Sequence, residues 1–196
     1  PSGFKHKLIV IPNGVDTRQF RPKGLRKIID LLYVGRLEPQ KNLINLIKAV
    51  TLLPKLNLSI AMVGSGSLDL QLKQVAKDYH VKLTIAPPVP HNQLPKLLNQ
   101  AKIFILPSVI EGQPKILLEA MACGIPVIVS DIPAHQEIIQ HRIEGILSRA
   151  NTEQLANNIK LLIIGHSLAR KLAFNARDII IKKFDLQTRN QFEIRL

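Results

Sequence analysis

The sequence predicts an α/β protein with a doubly wound, Rossmann-like parallel sheet of about six strands and helices on both faces. Short β-branched or aliphatic runs alternate with longer segments in which apolar residues recur at helical spacing, a pattern typical of repeated βα units. The candidate strands are residues 31–34, 58–63, 82–85, 103–106, 127–129 and 145–147. The fourth of these runs is apolar throughout, which favours a central strand buried on both faces.

Helical periodicity occupies several of the gaps between these runs. The apolar residues at this spacing are Leu43, Leu46, Ile47, Val50, Leu68, Leu72, Val75, Ala76, Leu155, Ile159 and Leu162. A chain of 196 residues with 46% hydrophobic content is long enough for one packed domain, so we interpret residues 1–196 as a single unit. Because the chain starts at Pro1, close to a strand-like run at 8–11, we expect it to be part of a longer protein.

The composition indicates an anionic partner. Lys and Arg total 27 against 14 Asp and Glu, which gives a formal net charge of +13. Aromatic residues make up only 4% of the chain and Trp is absent, so the stacking platforms of single-strand binders are missing and we expect no nucleic-acid partner. The same positive charge makes peripheral contact with an anionic membrane a further expectation. No apolar run approaches the ~18 residues of a membrane span.

Cys123 is the only cysteine in the chain, so neither an internal disulfide nor a cysteine-based metal site can form. Its apolar neighbours predict a core residue. This cysteine usage is typical of a reducing cytoplasm, which is the predicted location.

In a doubly wound sheet, ligands bind beyond the carboxyl ends of the strands. Gly35 and Arg36 follow the first candidate strand, and Lys41 lies near the start of the next helix. A flexible turn, two cations and a helix dipole together favour a diphosphate site. The alternative is that Gly35 only turns the chain while both cations face water.

The loop after the second strand reads Gly64-Ser65-Gly66. It resembles a phosphate loop but lacks the third glycine and the acidic residue of a dinucleotide-binding fingerprint. A tight strand-to-helix turn is therefore the favoured interpretation.

The segment from Glu111 to Gly124 carries the strongest local pattern. Pro114 suits the first turn of a helix and Gly124 suits its end, so a helix is predicted to start near Gln113. Free N–H groups at Lys115 and Ile116 would hold a phosphate or sugar oxygen. Glu119, about one turn further along, would accept hydrogen bonds from hydroxyl groups, unless it is an ordinary surface charge.

Taken together, these motifs resemble the C-terminal domain of family 4 glycosyltransferases, in which two Rossmann-like domains face a cleft in the GT-B fold. The motifs that carry the resemblance are Asn13-Gly14-Val15-Asp16 with Phe20 and Pro22, Gly35-Arg36-Leu37 with Lys41, Gly64-Ser65-Gly66, Pro107-Ser108, Glu111 with Glu119, and Gly124-Ile125-Pro126-Val127-Ile128.

The resemblance implies the donor half of a retaining enzyme that transfers a hexose-type sugar from a nucleoside diphosphate. Arg36 and Lys41 would bind the diphosphate, Glu119 the ribose hydroxyls, and the loop at Val89 the base. Gly35 would turn the chain beside the diphosphate. No tightly bound cofactor and no metal are implied.

On the sugar side, the resemblance gives Glu111 the catalytic position and implies donor-sugar contacts at Gln113. Pro114 departs from the Glu-Gly-Phe-Gly sequence of many members and removes one backbone donor. Pro87 stands where glycine is common. The family's N-terminal domain, which would hold the acceptor glycan or lipid-linked sugar, has no counterpart in residues 1–196.

Other functions remain open from the sequence. A donor-binding or regulatory module without catalysis is one alternative. An epimerase or a phosphorylase-like enzyme on the same fold is another. The base, the sugar, the acceptor, the linkage and the oligomeric state are not determined.

Overall fold

The computed structural model describes residues 13–187, and within them six strands form one parallel sheet. The strands are β1 (Ile29–Val34), β2 (Ser59–Val63), β3 (Lys82–Ala86), β4 (Ala101–Leu106), β5 (Val127–Ser130) and β6 (Ile146–Ser148). Their order is β3-β2-β1-β4-β5-β6, and every neighbouring pair is parallel. This is the order of a doubly wound Rossmann sheet, so the predicted fold class is confirmed.

The strand boundaries differ from the predicted ones by at most two residues. The central position predicted for the fourth run is confirmed, because β4 lies between β1 and β5 and its residues 103–106 are buried. The topological switch point lies between β1 and β4, since the chain winds outward from there in both directions. The strand-like run at 8–11 lies outside the described residues.

Seven helices connect or follow these strands in the described part of the chain. They are α1 (Leu43–Thr51), α2 (Asp69–Asp78), α3 (Leu94–Asn99), α4 (Lys115–Ala122), α5 (Pro133–Gln136), α6 (Thr152–Ile164) and α7 (His166–Lys183). Periodicity did not predict α3 and α5, because six and four residues are too few to repeat an apolar face. Only Gly165 separates α6 from α7.

The predicted start of α4 near Gln113 is wrong. Helix α4 begins at Lys115, and Pro114 is its N-cap residue with an extended ψ of 101°. The carbonyl of Pro114 accepts the first helical bond, from the Leu117 N–H at 3.0 Å. Pro114 therefore ends the preceding loop instead of forming the first turn. The other end is as predicted, since Gly124 follows the helix with a φ of +67°.

The core lies between the sheet and the helices on its two faces. Its largest buried side chains include Tyr33, Phe104 and Phe20. Cys123 is buried as predicted, and burial raises the pKa of its thiol to about 12. Across residues 13–187, no helix combines the length and the apolar character that crossing a bilayer requires.

The ends of the described chain are joined to each other. The Val15 N–H donates to the Phe184 carbonyl at 2.9 Å, and the Leu186 N–H donates to the Val15 carbonyl at 3.1 Å. The guanidinium of Arg177 on α7 donates to the carbonyls of Phe20 and Ala122. The segment that carries Phe20 is thereby fixed against α4 and α7, next to the loops at the carboxyl end of the sheet.

Candidate functional site

A cleft of about 270 Å³ opens at the carboxyl ends of β1, β2 and β3. Gly35, Arg36 and Val89 all line it, so the fold brings together three of the predicted site residues from two separate loops. Gly64 and Ser65 complete the wall between those loops. We call this feature the strand-end cleft.

The two glycine loops pack backbone against backbone beneath this cleft. A Cβ atom at Gly64 would overlap the carbonyl oxygen of Gly35, and one at Gly66 would overlap the carbonyl of Leu37. Two hydrogen bonds stabilise this contact. The Gly35 N–H donates to the Val63 carbonyl at 3.0 Å, and the Leu37 N–H donates to the Ser65 carbonyl at 2.9 Å. This packing supports the tight-turn interpretation of the Gly-Ser-Gly loop.

Tyr33 supports the turn that presents Arg36. Its buried hydroxyl donates to the Arg36 carbonyl at 2.7 Å, and a side chain at Gly35 would crowd that hydroxyl. Burial, reinforced by the negative charge of Glu111, raises the pKa of Tyr33 well above its usual value. The phenol therefore stays a donor, and the Arg36 guanidinium is left exposed beside the cleft.

Lys41 and Glu111 meet at the topological switch point. The Lys41 Nζ lies 2.6 Å from Glu111 Oε1, and the two side chains are only 12% and 13% exposed. The Ser108 hydroxyl donates to the same carboxylate oxygen at 2.7 Å. No sequence pattern predicts this pair, because Lys41 belongs to the loop after β1 and Glu111 to the loop after β4.

The N-terminus of α4 faces the same end of the sheet. Lys115 and Ile116 are its first two residues, so their N–H groups have no partner within the helix. Asn13 holds the preceding loop, since its amide donates to the Gln113 carbonyl at 2.9 Å and its N–H donates to the Gln113 side chain. The side chain predicted to contact the sugar is thus engaged by Asn13.

Glu119 is not a surface charge, which removes the alternative left open by the sequence. Its side chain is 3% exposed, and its Oε1 atom lies 2.8 Å from Nε2 of His91. The His91 ring also packs on Phe20, with ring centroids 5.1 Å apart. Sequence reasoning missed His91, although its place directly after the Pro87-Pro88-Val89-Pro90 loop was a usable signal.

A buried polar cluster lies behind the switch point. Nδ1 of His135 lies 2.8 Å from the Ser130 carbonyl oxygen, and the Ser130 hydroxyl donates to the Ser108 carbonyl. Nε2 of His135 has no hydrogen-bond partner among the described residues. Burial lowers the pKa of His135; its bond to Ser130 and the charge of Glu111 act in the opposite direction.

Other sites on the described surface do not collect the predicted residues. A cavity of about 480 Å³ is lined by Lys102 and Ile103 at the start of β4, at the opposite end of the sheet from the strand-end cleft. Within residues 13–187, no three His, Cys, Asp or Glu side chains form a group suited to a metal ion.

Comparison with known proteins assigns the family. The sequence profile described as glycosyl transferases group 1 matches residues 16–179, which is most of the chain. The chain belongs to the group 1 glycosyltransferases. The strand-end cleft, the Lys41 and Glu111 pair and the buried Glu119 all lie within the matched region of this group 1 domain.

Curated relatives of the group 1 domain are about twice its length. The chain is 31% identical over 200 residues to the Escherichia coli UDP-Gal:alpha-D-GlcNAc-diphosphoundecaprenol alpha-1,3-galactosyltransferase, with 93% of this chain and 52% of that protein covered. It is 30% identical to a glycogen synthase of Mycobacterium tuberculosis, with 93% and 46% covered. The chain therefore spans about half of each of these proteins.

Solved structures share the fold. The C-terminal domain of the group 1 family protein LpcC from Francisella tularensis superposes with a TM-score of 0.77 at 25% identity, covering 88% of this chain and 100% of that one. The Anabaena protein HepE, solved in complex with UDP-glucose, gives a TM-score of 0.82 at 24% identity, covering 91% and 54%.

Proposed function

We propose that this chain is the donor-binding half of a retaining glycosyltransferase, which transfers a hexose-type sugar from a nucleoside diphosphate to an acceptor glycan or lipid-linked sugar. The observation that carries the proposal is that Arg36 and Val89 line the strand-end cleft, while the buried Glu119 contacts His91, two residues after Val89. The full match to an isolated C-terminal domain supports the C-terminal position. A separate N-terminal domain would supply the acceptor site.

The nucleoside would lie along the strand-end cleft, with its base against Val89 and its ribose at Glu119. An ionised carboxylate accepts hydrogen bonds from both hydroxyls of a ribose, and burial strengthens each of them. The UDP and UDP-glucose complexes of HepE support this choice of ligand class. A uracil-specific contact is not part of the proposal, so the base is left open.

The diphosphate would lie between Arg36, Lys41 and the N-terminus of α4. The free N–H groups of Lys115 and Ile116 and the helix dipole favour an anion there. In this arrangement Lys41 lies between two anions, the phosphate and Glu111. Fixed cations and a helix end would stabilise the departing diphosphate without a metal, as preorganised charge at the point where charge develops.

The sugar would lie beside Glu111 and the loop at Gln113. When the bond between the anomeric carbon and the diphosphate oxygen breaks, positive charge develops on the sugar ring. Glu111, fixed by Lys41 and Ser108, would stabilise that charge or orient the sugar hydroxyls. Retention of configuration at the anomeric carbon follows from the resemblance to family 4.

The alternative function is a nucleotide-sugar-binding module without catalysis. It shares the nucleoside and phosphate contacts but needs no role for Glu111. The two functions therefore differ at this one side chain. The cytoplasmic location stays a prediction under either function.

Two amide substitutions test the proposal in thermal-shift titrations with UDP, GDP, ADP and their glucose or galactose conjugates. A ligand at about 100 times its dissociation constant stabilises the chain by about 2.7 kcal/mol. We expect Glu119→Gln to weaken binding of every ribose-containing ligand. Glu111→Gln should leave nucleoside diphosphate binding within about twofold and change only the binding of the sugar conjugates.

The two variants control for each other, because each removes one negative charge from a carboxylate held in the same region. Equal effects on diphosphates and sugar conjugates would contradict the separate roles. An absence of stabilisation by all the nucleotides in the panel would contradict donor binding itself.

A further inference from the structure

We propose that His91 is a positioning residue for Glu119 and thereby sets the preference of the site for ribose over deoxyribose. The inference rests on the proposed donor function and extends it to a side chain outside the predicted site. It starts from the contact of 2.8 Å between His91 Nε2 and Glu119 Oε1.

The direction of this hydrogen bond follows from chemistry. An ionised carboxylate only accepts hydrogen bonds, so Nε2 of His91 carries the proton and donates it. Within residues 13–187, His91 is the one side chain that donates to the Glu119 carboxylate. A carboxylate that is 3% exposed depends on this donor, because burial without a partner is costly.

The surroundings hold His91 in place for this purpose. Its ring packs on the buried ring of Phe20, which is itself fixed through the Arg177 guanidinium. On the other side, the loop before His91 contains three prolines in four residues, Pro87, Pro88 and Pro90. Each ring fixes φ near −65°, so the loop loses little conformational freedom when it is ordered.

The same loop links two parts of the proposed nucleoside site. Val89 lines the strand-end cleft, and His91, two residues later, contacts Glu119. The loop therefore fixes the distance between the base contact and the ribose carboxylate. Because His91 holds Oε1, the further hydrogen bonds that the Glu119 carboxylate can accept would come from the two hydroxyls of a ribose.

Loss of the His91 donor has a defined consequence. The Glu119 side chain becomes free to take other rotamers, and its buried charge loses its partner, so it accepts hydrogen bonds from ribose less effectively. The 2′-deoxy ligand has one hydroxyl fewer at this position and suffers less. Discrimination between the two ligands should fall.

The test compares binding of UDP and 2′-deoxy-UDP by calorimetry to the 196-residue chain and its variants. GDP or ADP with the matching deoxy form is used if UDP does not bind. His91→Phe keeps a ring against Phe20 but removes the donor, and His91→Gln keeps a donor of similar reach. We expect His91→Phe to lower the ratio of the dissociation constant of 2′-deoxy-UDP to that of UDP by about two- to tenfold. The same ratio for His91→Gln should stay within about twofold of the parent.

The double variant His91→Phe with Glu119→Gln should discriminate between UDP and 2′-deoxy-UDP as well as Glu119→Gln alone, because His91 acts through Glu119. An unchanged ratio in a folded His91→Phe, or tighter UDP binding by it, would overturn the inference while leaving the donor function intact. Binding of none of the nucleoside diphosphates by the parent chain would overturn both.

Discussion

At the residue scale, the candidate site consists of two carboxylates that are held in different ways. Glu111 is fixed by a cation and a hydroxyl at the switch point, whereas the buried Glu119 is held by the half-exposed imidazole of His91. Lys41, the fixed cation next to Glu111, is also suited to binding a phosphate. Under the proposed function, this difference separates the charge chemistry of the sugar and diphosphate from the recognition of the nucleoside.

Arg36 and Lys41 should contribute to the diphosphate and not to the nucleoside. Hydrogen bonds to charged groups contribute about 1.5–3 kcal/mol, so we expect Arg36→Ala to weaken nucleoside diphosphate binding about ten- to a hundredfold. Nucleoside binding should change less than about twofold. Calorimetry at low and high salt measures both, and the loss should shrink as salt rises.

Lys41→Ala should show the same selectivity together with a loss of thermal stability, because Glu111 is left without its cation. Adding Glu111→Gln should restore part of that stability but not the diphosphate affinity. Equal losses for nucleoside and diphosphate would mean that these cations only support the fold.

His135 should make the stability of the chain depend on pH. Burial lowers its pKa in the folded state, whereas the unfolded chain protonates near the ordinary value of about 6.5. Around and below that pH the unfolded state binds more protons than the folded state. The free energy of unfolding should therefore fall as the pH decreases from about 7.5 to 5.5, and the contribution of His135 to stability should be complete above this range.

His135→Asn keeps a donor for the Ser130 carbonyl and cannot titrate, so its stability should change less over this range. His166→Asn, at an exposed position on α7, is the matched control and should retain the parent's slope. Urea titrations at each pH give these free energies. Parallel pH profiles for the parent and His135→Asn would contradict the role of His135.

At the scale of the elements, α7 combines an inner face in the core with an unusual outer face. Arg170, Lys171, Phe174, Ile181 and Lys182 are exposed along one side of this helix. Phe174 is 74% exposed and Ile181 is 41% exposed, so two apolar side chains lie among the basic ones on this face. Basic residues around exposed apolar ones are typical of helices that lie on anionic membranes.

We therefore expect the chain to co-sediment with vesicles that contain phosphatidylglycerol and not with pure phosphatidylcholine vesicles. Phe174→Glu should lower the bound fraction severalfold, because it removes an apolar contact and adds repulsion. Leu70→Glu, at an equally exposed position on α2, makes the same charge change elsewhere and should have little effect. Binding that ignores lipid charge would contradict this expectation.

The short elements show where sequence prediction ends. Helices α1, α2 and α6 follow from their apolar spacing, because each is long enough to repeat an apolar face. Helices α3 and α5 are fixed by their connections to neighbouring strands instead. The predicted start of α4 was wrong because proline suits both the N-cap and the first turn of a helix. The two hydrogen bonds that Asn13 donates to Gln113 hold the loop in which Pro114 is the N-cap.

At the scale of the whole molecule, the sheet and its helices share one core. The six strands and their helices form one continuous core in residues 13–187, which is the condition for a domain to fold by itself. The strand-end cleft, in contrast, is open to solvent on one side. Polar contacts there compete with water at high dielectric.

We expect the isolated chain to unfold cooperatively, to bind a nucleotide donor weakly and to transfer no sugar. Transfer requires donor and acceptor held at about 3 to 3.5 Å, and the proposed site accounts for the donor alone. Slow hydrolysis of the donor is the most activity expected. Labelled donors incubated with a broad acceptor panel give the measurement; robust transfer that Glu111→Gln abolishes would contradict this prediction.

The sequence by itself determined the repeating βα pattern, the central strand, the loops that carry the site, and the motifs shared with the group 1 glycosyltransferases. These features are local, because apolar spacing and turn residues act within about ten to twenty positions of the chain. Gly35, Arg36, Lys41 and Glu119 could be selected for the same reason, and Glu111 could be selected through the family resemblance.

Only the tertiary structure decided how these residues meet. The bond between Lys41 and Glu111 joins positions 70 residues apart, and that between His91 and Glu119 joins positions 28 apart. Both contacts depend on the strand order and on the register of β1, β3 and β4, which bring distant loops together at the carboxyl end of the sheet. A side chain's partner is set by that packing, and no periodicity along the chain encodes it.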